Sequence, residues 1–456
     1  MSPTPTKAPG HYRWSICALL FFSVTINYVD RQIIGILKQP LSAELGWSEM
    51  DYARIVEWFQ TAYAFGYLFG GRMMDFLGVK RGFPIIVFAW SLACALHGAV
   101  RSVVGFQWAR AALGLAEGGN FPGAIKTVAE WFPTKERAMA TGIFNAGTNI
   151  GAIICPLLVP WAATTFGWQM TFYVTGALGV FWIIAWALLY EAPEKHRMLS
   201  PAEYAYITEG RDKATDAAAA DRKAAAPKSS AKQMLLAVPL LLWETLVLWW
   251  GLLRHRAVWA YLIAGVLAGP IWGFYMFFLP DFLQKRFHLS LIEVGQWTAL
   301  FYLVASFGGV AGGWLFSKLL TSGLSLNAAR KLSLLACALC VVPVFYAPYA
   351  TSIWLCVFIV GLAGSAHQGW SANLFSFVSD TMPKATVGAV VGMGGFMAFY
   401  TGGKLAKITG YLLETTGSYV SIFAWASSMY LFSLLAVHLL VPKIGHVDPN
   451  APETKA

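Results

Sequence analysis

Four charged side chains stand inside stretches that are otherwise apolar: Asp30 and Arg31 in one, Arg110 and Glu117 in another. A charge near the centre of a bilayer costs about 2.5–3.5 kcal/mol on insertion scales, so in such a setting it marks a substrate path or a proton relay. Arg31 offers a planar, permanently charged fork that matches a carboxylate with two parallel hydrogen bonds. That suits it to anchor an anionic ligand, with pairing to an internal carboxylate as the alternative. Asp30 precedes it, and adjacent residues on a helix point about 100° apart, so the two side chains face different neighbours. Arg110 and Glu117 share one face of their helix, with about 10 Å of rise between them. Glu117 is the better proton carrier, because a carboxylate whose surroundings alternate between dry and cationic loads and releases a proton. Arg110 is expected as its electrostatic partner rather than as a second ligand for the anion.

The elements that must position these charges are membrane spans. The chain has 456 residues, 57% hydrophobic and only 12% charged, with 20 Trp and 43 Gly. Soluble domains carry about twice that charged fraction. Trp favours the bilayer interfaces and Gly allows helices to approach closely. A helix needs about 20 residues to cross the hydrocarbon core. Apolar runs of that kind fall near 14–37, 54–75, 82–102, 105–128, 138–162 and 170–190, then near 257–280, 294–319, 331–348, 352–378, 386–412 and 418–441. Six plus six spans predict an all-α membrane protein of two pseudo-symmetric six-helix bundles, residues 1–190 and 257–441. A linker, 191–256, joins them, and a tail, 442–456, follows.

Net charge is +10, yet the basic residues sit in short loops and the linker, which argues against nucleic acid. Lys80, Arg81, Lys135, Arg137, ten Lys/Arg in the linker, Arg330, Lys331 and Lys384 fall on one side, and Lys38, Arg54, Arg101, Lys285 and Arg286 on the other. The excess places both termini and the linker in the cytoplasm. Within the linker, Ala217–Pro227 is of low complexity and reads as disordered. The segment Gln233–Leu253 is apolar enough to pass as a thirteenth span, but it contains Pro239 and Glu244 and ends in Arg254-His255-Arg256. An in-plane helix with Trp243, Trp249 and Trp250 at headgroup depth fits it better. All six cysteines lie in apolar runs; Cys337 and Cys340 have CxxC spacing but read as small core residues. No nucleotide-phosphate loop, zinc-type His/Glu cluster or nucleophile motif is present, so neither an enzyme nor a metal site is expected. The polar, Pro-rich start leads into a full-length span and reads as retained, not cleaved.

The run Gly71-Arg72-Met73-Met74-Asp75-Phe76-Leu77-Gly78-Val79-Lys80-Arg81 resembles the loop signature of the major facilitator superfamily, with Phe76 in place of the usual basic residue. Within that superfamily the chain is similar to the anion:cation symporter branch, and specifically to the bacterial hexuronate transporters. The carrying stretches are Asn27–Arg31, Gly114–Pro122, Lys126–Arg137, Thr141–Gly151 and His367–Phe375. Sibling transporters for aldonates such as galactonate share the first two. The resemblance implies the major facilitator fold and proton-coupled uptake of a sugar-acid anion across a bacterial inner membrane. The transporter would be a monomer in lipid, with the proton as coupling ion and no other cofactor. An exporter of drugs or metabolites would share the fold.

The resemblance also implies roles. Arg31 matches the family's carboxylate-binding arginine and Asp30 one of its proton-carrying acids; structural anchoring is the rival role for Asp30. Tyr63, Asn145, Thr148, Asn149, His367, Gln368 and Asn373 would read sugar hydroxyls, and Trp272 and Tyr275, near Pro270 and Pro280, would stack on the ring. Polar residues between packed helices also act as structural glue. Gly71, Asp75, Gly78, Lys80 and Arg81 would form the conformational loop. Lys404 and Lys407 match no family pattern; they either snorkel to an interface or face the cavity. On this reading the N-terminal half handles charge and protons, and the C-terminal half reads the sugar.

Overall fold

The computed structural model describes residues 10–209, 243 and 245–445, without the side chains of 75, 384 and 385. The linker stretch 210–242, the tail from 446, and the Asp75 and Lys384 side chains, on which sequence expectations fall, lie outside the described residues.

In hydrocarbon every backbone N–H and C=O must be satisfied within the segment, so an apolar chain that crosses it becomes helical. The first half comprises α1 (Tyr12–Ile36), a short α2 (Lys38–Leu45), α3 (Glu49–Leu77), α4 (Val79–Ala99), α5 (Val103–Glu117), α6 (Asn120–Trp131), α7 (Arg137–Phe166) and α8 (Trp168–Leu189). A short α9 (Pro201–Thr208) opens the linker. The second half comprises α10 (Arg256–Phe287), α11 (Leu291–Ser306), α12 (Gly308–Thr321), α13 (Leu326–Val341) with a 3-10 extension to Tyr349, α14 (Ile353–Thr381), α15 (Lys384–Thr416) and α16 (Val420–Leu440). Among the described residues, nine helical segments are long and apolar enough to cross a membrane, with α11–α12 counted as one. The other three expected spans correspond to α3, α5–α6 and α15. Of these, α5 and α6 are the two pieces, of 15 and 12 residues, into which the break at Gly118–Gly119 divides one span.

Turns between spans are set by local chemistry. Ser48 and Asp51 form a reciprocal cap at the start of α3, as Ser290 and Glu293 do for α11, each satisfying orphan amides of the first turn. Gly78 at φ +71° makes the sharp bend from α3 into α4, a conformation that a side chain would strain. Where α3 crosses α5, a Cβ on Gly66 or Gly114 would run into the backbone of the other helix. In the second half Gly308 and Gly312 on α12 play the same part against Ser365 and Gly369 of α14. Small residues at such crossings let helices pack where no hydrophobic force separates protein from lipid.

The start of α1 and the end of α8 share one end of the molecule, since the Tyr12 hydroxyl donates to the Leu189 carbonyl at 2.8 Å. Helix α10 runs parallel to α1, because Gly35, late in α1, abuts Met276 and Phe277, late in α10. The chain therefore leaves α8 and enters α10 at that same near end, and residues 245–252, which are helical, make no net crossing between them. Trp249 packs against Phe396 of α15 at 5.7 Å between rings, while Trp243 and Trp250 are exposed. Pro270 and Pro280 stay inside α10 and do not end it. Cys337 is buried as expected, whereas Cys340 is exposed on the outer surface.

Candidate functional site

A cavity of about 610 Å³ lies between the halves, walled by α1, α3, α6 and α7 on one side and α10, α14 and α15 on the other. At the far end the halves are sealed. Lys38 reaches Glu49 at 2.6 Å and Asp281 at 2.5 Å. Tyr52 donates to the Phe277 carbonyl at 2.6 Å, and the Met50 amide donates to Glu414 at 2.8 Å. Toward the near end the wall continues through Tyr67, Phe121, Phe375 and Val391.

Arg31 lines this cavity. Its Nε donates to Glu117 Oε2 at 3.1 Å and its Nη2 to Asn27 Oδ1 at 3.0 Å. The guanidinium lies over Tyr63 at 4.3 Å and Tyr28 at 4.9 Å, aromatic faces that hold a cation without neutralising it. Glu117 is fully buried at the last residue of α5, where the helix breaks at Gly118–Gly119 before α6 begins. The directly bonded partner of Glu117 is thus Arg31, while Arg110 acts on Glu117 through charge alone, as their spacing on one helix face leads one to expect. Seven residues of rise keep Arg110 away from Glu117, and it donates instead from Nη2 to the Arg31 carbonyl at 2.9 Å. Arg110 Nε and Nη1 and Glu117 Oε1 are buried with no protein partner.

Asp30 points away from the cavity, as its position next to Arg31 requires. It is fully buried, with Oδ1 3.3 Å from Cys94 Sγ and Oδ2 unpartnered. Asn145, Thr148 and Asn149 line the cavity from α7, although the Thr148 hydroxyl is used on the Asn145 carbonyl at 2.7 Å. Tyr63, Trp272, His367 and Gln368 line it as well. Trp272 stacks on His367, 5.1 Å between rings, and the His367 Nδ1 pairs with the Tyr430 hydroxyl at 2.5 Å.

Two expected sugar readers lie elsewhere. Tyr275 is fully buried and does not line the cavity: its ring packs into the second bundle, 5.4 Å from Phe301 of α11. Asn373 is held by Arg330 Nη1 at 2.9 Å, and Arg330 also binds Asp380 at 2.7 Å. These contacts tie α13 to α14 rather than facing a ligand. Neither of the readings for Lys404 describes it fully: it pairs across the halves with Glu57 at 2.7 Å. Lys407 is exposed.

Gly71 touches Pro122, Lys80 pairs with Glu191, and Arg81 is exposed. With Gly78 they form a near-end elbow beside α6 and α8, away from the cavity. Lys126 from α6 donates to the Met74 carbonyl at 2.8 Å across this elbow.

Sequence reasoning missed the far-end seam and Gln60. Lys38 was placed among outer loop charges but is buried in α2, and Asp281, Glu49 and Glu57 were passed over. Asp281 directly after Pro280 in an apolar run was the available signal. The division of labour between halves is corrected accordingly, because the C-terminal half also holds a buried acid. Gln60 lines the cavity and occupies space that Gly273 of α10 and Gly402 of α15 leave for it.

The family model described as "Major Facilitator Superfamily" matches residues 20–407 of the chain, reaching from the first bundle into the second. The chain belongs to the major facilitator superfamily. Within it, a hexuronate transporter from Escherichia coli (strain K12) is 30% identical over 433 residues, 93% of each chain. A probable galactarate/D-glucarate transporter from Bacillus subtilis (strain 168) is 30% identical, covering 98% of this chain and 95% of that one. Among solved structures, the xylose transporter XylE from E. coli, in an inward open conformation, superposes with a TM-score of 0.68 at 12% identity, over 94% of this chain and 96% of that one. As a superfamily member the chain is a multi-pass membrane transporter, not an enzyme.

Proposed function

We propose that the protein carries a sugar-acid anion, a hexuronate, into the cell together with protons by alternating access. An aldonate such as galactonate is the alternative cargo for the same site. The observation that carries the reading is Arg31, a cation on the cavity wall whose one ion-pair partner among the described residues is the buried Glu117. Protonation of Glu117 removes that partner and frees the guanidinium fork for a substrate carboxylate. Deprotonation restores the ion pair and returns the empty carrier. Asp30, with one unpartnered oxygen, is the second proton-loading group, and Arg110 holds the backbone of Arg31 in place.

With the termini cytoplasmic in the inner membrane, the far end that Lys38, Asp281 and Glu49 close is the outward one. Bringing one negative charge in against 100 mV costs about 2.3 kcal/mol, which one proton cancels and a second reverses. The elbow of Gly71, Asp75, Gly78, Lys80 and Arg81 sits where the first bundle must pivot. Proton and substrate must raise each other's affinity to an equal extent. Uptake of radiolabelled glucuronate and galactonate into membrane vesicles under an inward pH gradient, with and without a protonophore, tests this. Accumulation above equilibrium that the protonophore abolishes is expected; accumulation of neither acid overturns it.

A further inference from the structure

We propose that the cavity selects sugar acids bearing one carboxylate and rejects those bearing one at each end. This rests on the sugar-acid reading above and sharpens it. The named relatives include transporters for both classes, so likeness alone does not decide between them, but the distribution of charge around the cavity does.

Among the described residues, Arg31 is the one Lys or Arg that lines the cavity, and no Asp or Glu lines it. The second fixed cation nearby, Arg110, stands behind Arg31. It is fully buried, donates to the Arg31 carbonyl, and is absent from the wall. Both guanidinium groups therefore serve the same end of a bound molecule. An aldarate carries its second carboxylate a six-carbon chain away from the first. With the first on Arg31 in α1, the second meets the opposite wall, where α14 presents His367, Gln368 and Ser371. His367 is already committed, through Nδ1 to Tyr430 and through its ring face to Trp272, and its Nε2 is 3.4 Å from the Ser371 hydroxyl. Amide and hydroxyl groups in that position match sugar hydroxyls or a ring oxygen. They leave a carboxylate desolvated without a counter-charge, which costs far more than desolvating a neutral group. The Lys404 ammonium does not supply the missing cation, because it is spent on Glu57 outside the cavity wall.

The test is competition against uptake of labelled glucuronate by the reconstituted full-length protein at pH 7.5, where both carboxylates of an aldarate are ionised. Galacturonate and galactonate are expected to compete. Glucarate and galactarate are expected to need at least about tenfold higher concentrations, the factor that about 1.4 kcal/mol of unmatched charge produces. Equal competition by the two classes overturns the proposal. A wholly inactive preparation toward labelled glucuronate and galactonate alike would bring down the transport reading, and this selection with it. A second arm locates the cause. Ala372→Lys, at a wall position of α14 that has no polar group for the sugar, places a cation on the opposite wall and is expected to narrow the gap at least fivefold, roughly the effect of one matched charge. An unchanged gap in a variant that still takes up the mono-acid overturns the assignment to cavity charge.

Discussion

At the far-end seam, Asp281 receives Lys38, Lys285, Gln39 and Tyr419, and Glu49 receives both lysines. In the core of the first bundle, Arg31, Glu117, Arg110 and Asp30 are just as buried but leave several polar atoms without protein partners. Both clusters bear desolvation costs, and only in the seam do hydrogen bonds on nearly every site offset them. The seam is therefore bonded like a lock, with each charge satisfied while the halves are together. The core cluster is bonded like a switch, with spare valences for a proton, a substrate carboxylate or water. The contrast makes opposite predictions for the two sites: loss of function without much loss of fold in one, loss of stability without much loss of affinity in the other.

The largest effect is expected at Arg31. Arg31→Ala removes the cavity's cation and strands Glu117, and breaking one partner of a buried pair costs about 3–5 kcal/mol. Affinity for the sugar acid should fall at least about 100-fold in a binding assay. Arg31→Lys, which keeps the charge but not the fork, should give an intermediate loss. Retained affinity in Arg31→Ala would remove the anchor role and with it the functional half of the contrast.

Glu117→Gln is the next test. It keeps the shape and one acceptor for Arg31 while removing the titratable proton. Exchange of labelled for unlabelled acid across the membrane should persist, while accumulation driven by a pH gradient stops. Gradient-driven accumulation at the wild-type level in this variant would move coupling elsewhere, with Asp30 the first place to look.

Asp281→Asn addresses the lock. It leaves Lys38 and Lys285 sharing Glu49, so unfolding in detergent should shift down by several degrees, the scale of a few kcal/mol in a chain of this size. Asp281 shares no hydrogen-bond or ion-pair partner with Arg31, so affinity should stay within about twofold, as for independent sites. A loss of affinity comparable to that of Arg31→Ala would show that the two clusters are one.

How much of this was legible beforehand follows the same divide. The spans, the two bundles and Arg31 were readable because hydrophobic length and a charge within it are local properties of the chain. Asn145, Asn149, His367 and Gln368 were readable because they lie in stretches that carry the family pattern, and Trp272 only as an aromatic ring near Pro270. The Arg31–Glu117 pair was not, since it depends on where α5 breaks and turns toward α1. Lys38 lies at the far end, the side its loop position assigns it, but its burial was not readable, because its helix, α2, is too short to show a hydrophobic period and its partner Asp281 lies in the other half of the chain. Tyr275 and Asn373 failed for a related reason. A residue's helix was predictable from sequence, but whether its side chain meets the cavity depends on neighbours in other helices, Phe301 for Tyr275 and Arg330 for Asn373.

The smallest expected effect lies outside the bilayer, at a clasp that binds the start of the chain. Glu136 takes Arg13 Nε at 2.8 Å and the Tyr206 hydroxyl at 2.7 Å, while Glu203 of α9 takes Arg13 Nη1 at 3.1 Å. Burial alone would raise the Glu136 carboxyl, but hydrogen bonds from Arg13 and Tyr206 and the charges of Arg13 and Lys135 hold it below its ordinary value. A lowered folded pKa means that the stabilisation is fully present above the ordinary carboxyl value of 4.5 and is lost as pH falls through the folded one. Near neutral pH the clasp should therefore be insensitive to acidity, unlike a transport step gated by Glu117. Hydrogen exchange over residues 12–16 and 201–208 should quicken only well below pH 4.5, and Glu136→Gln should already show the quickened rate at pH 7. If exchange in the clasp tracks the same pH range as uptake, the clasp belongs to the switch, and the division between bonded-out and under-bonded clusters no longer separates structure from function.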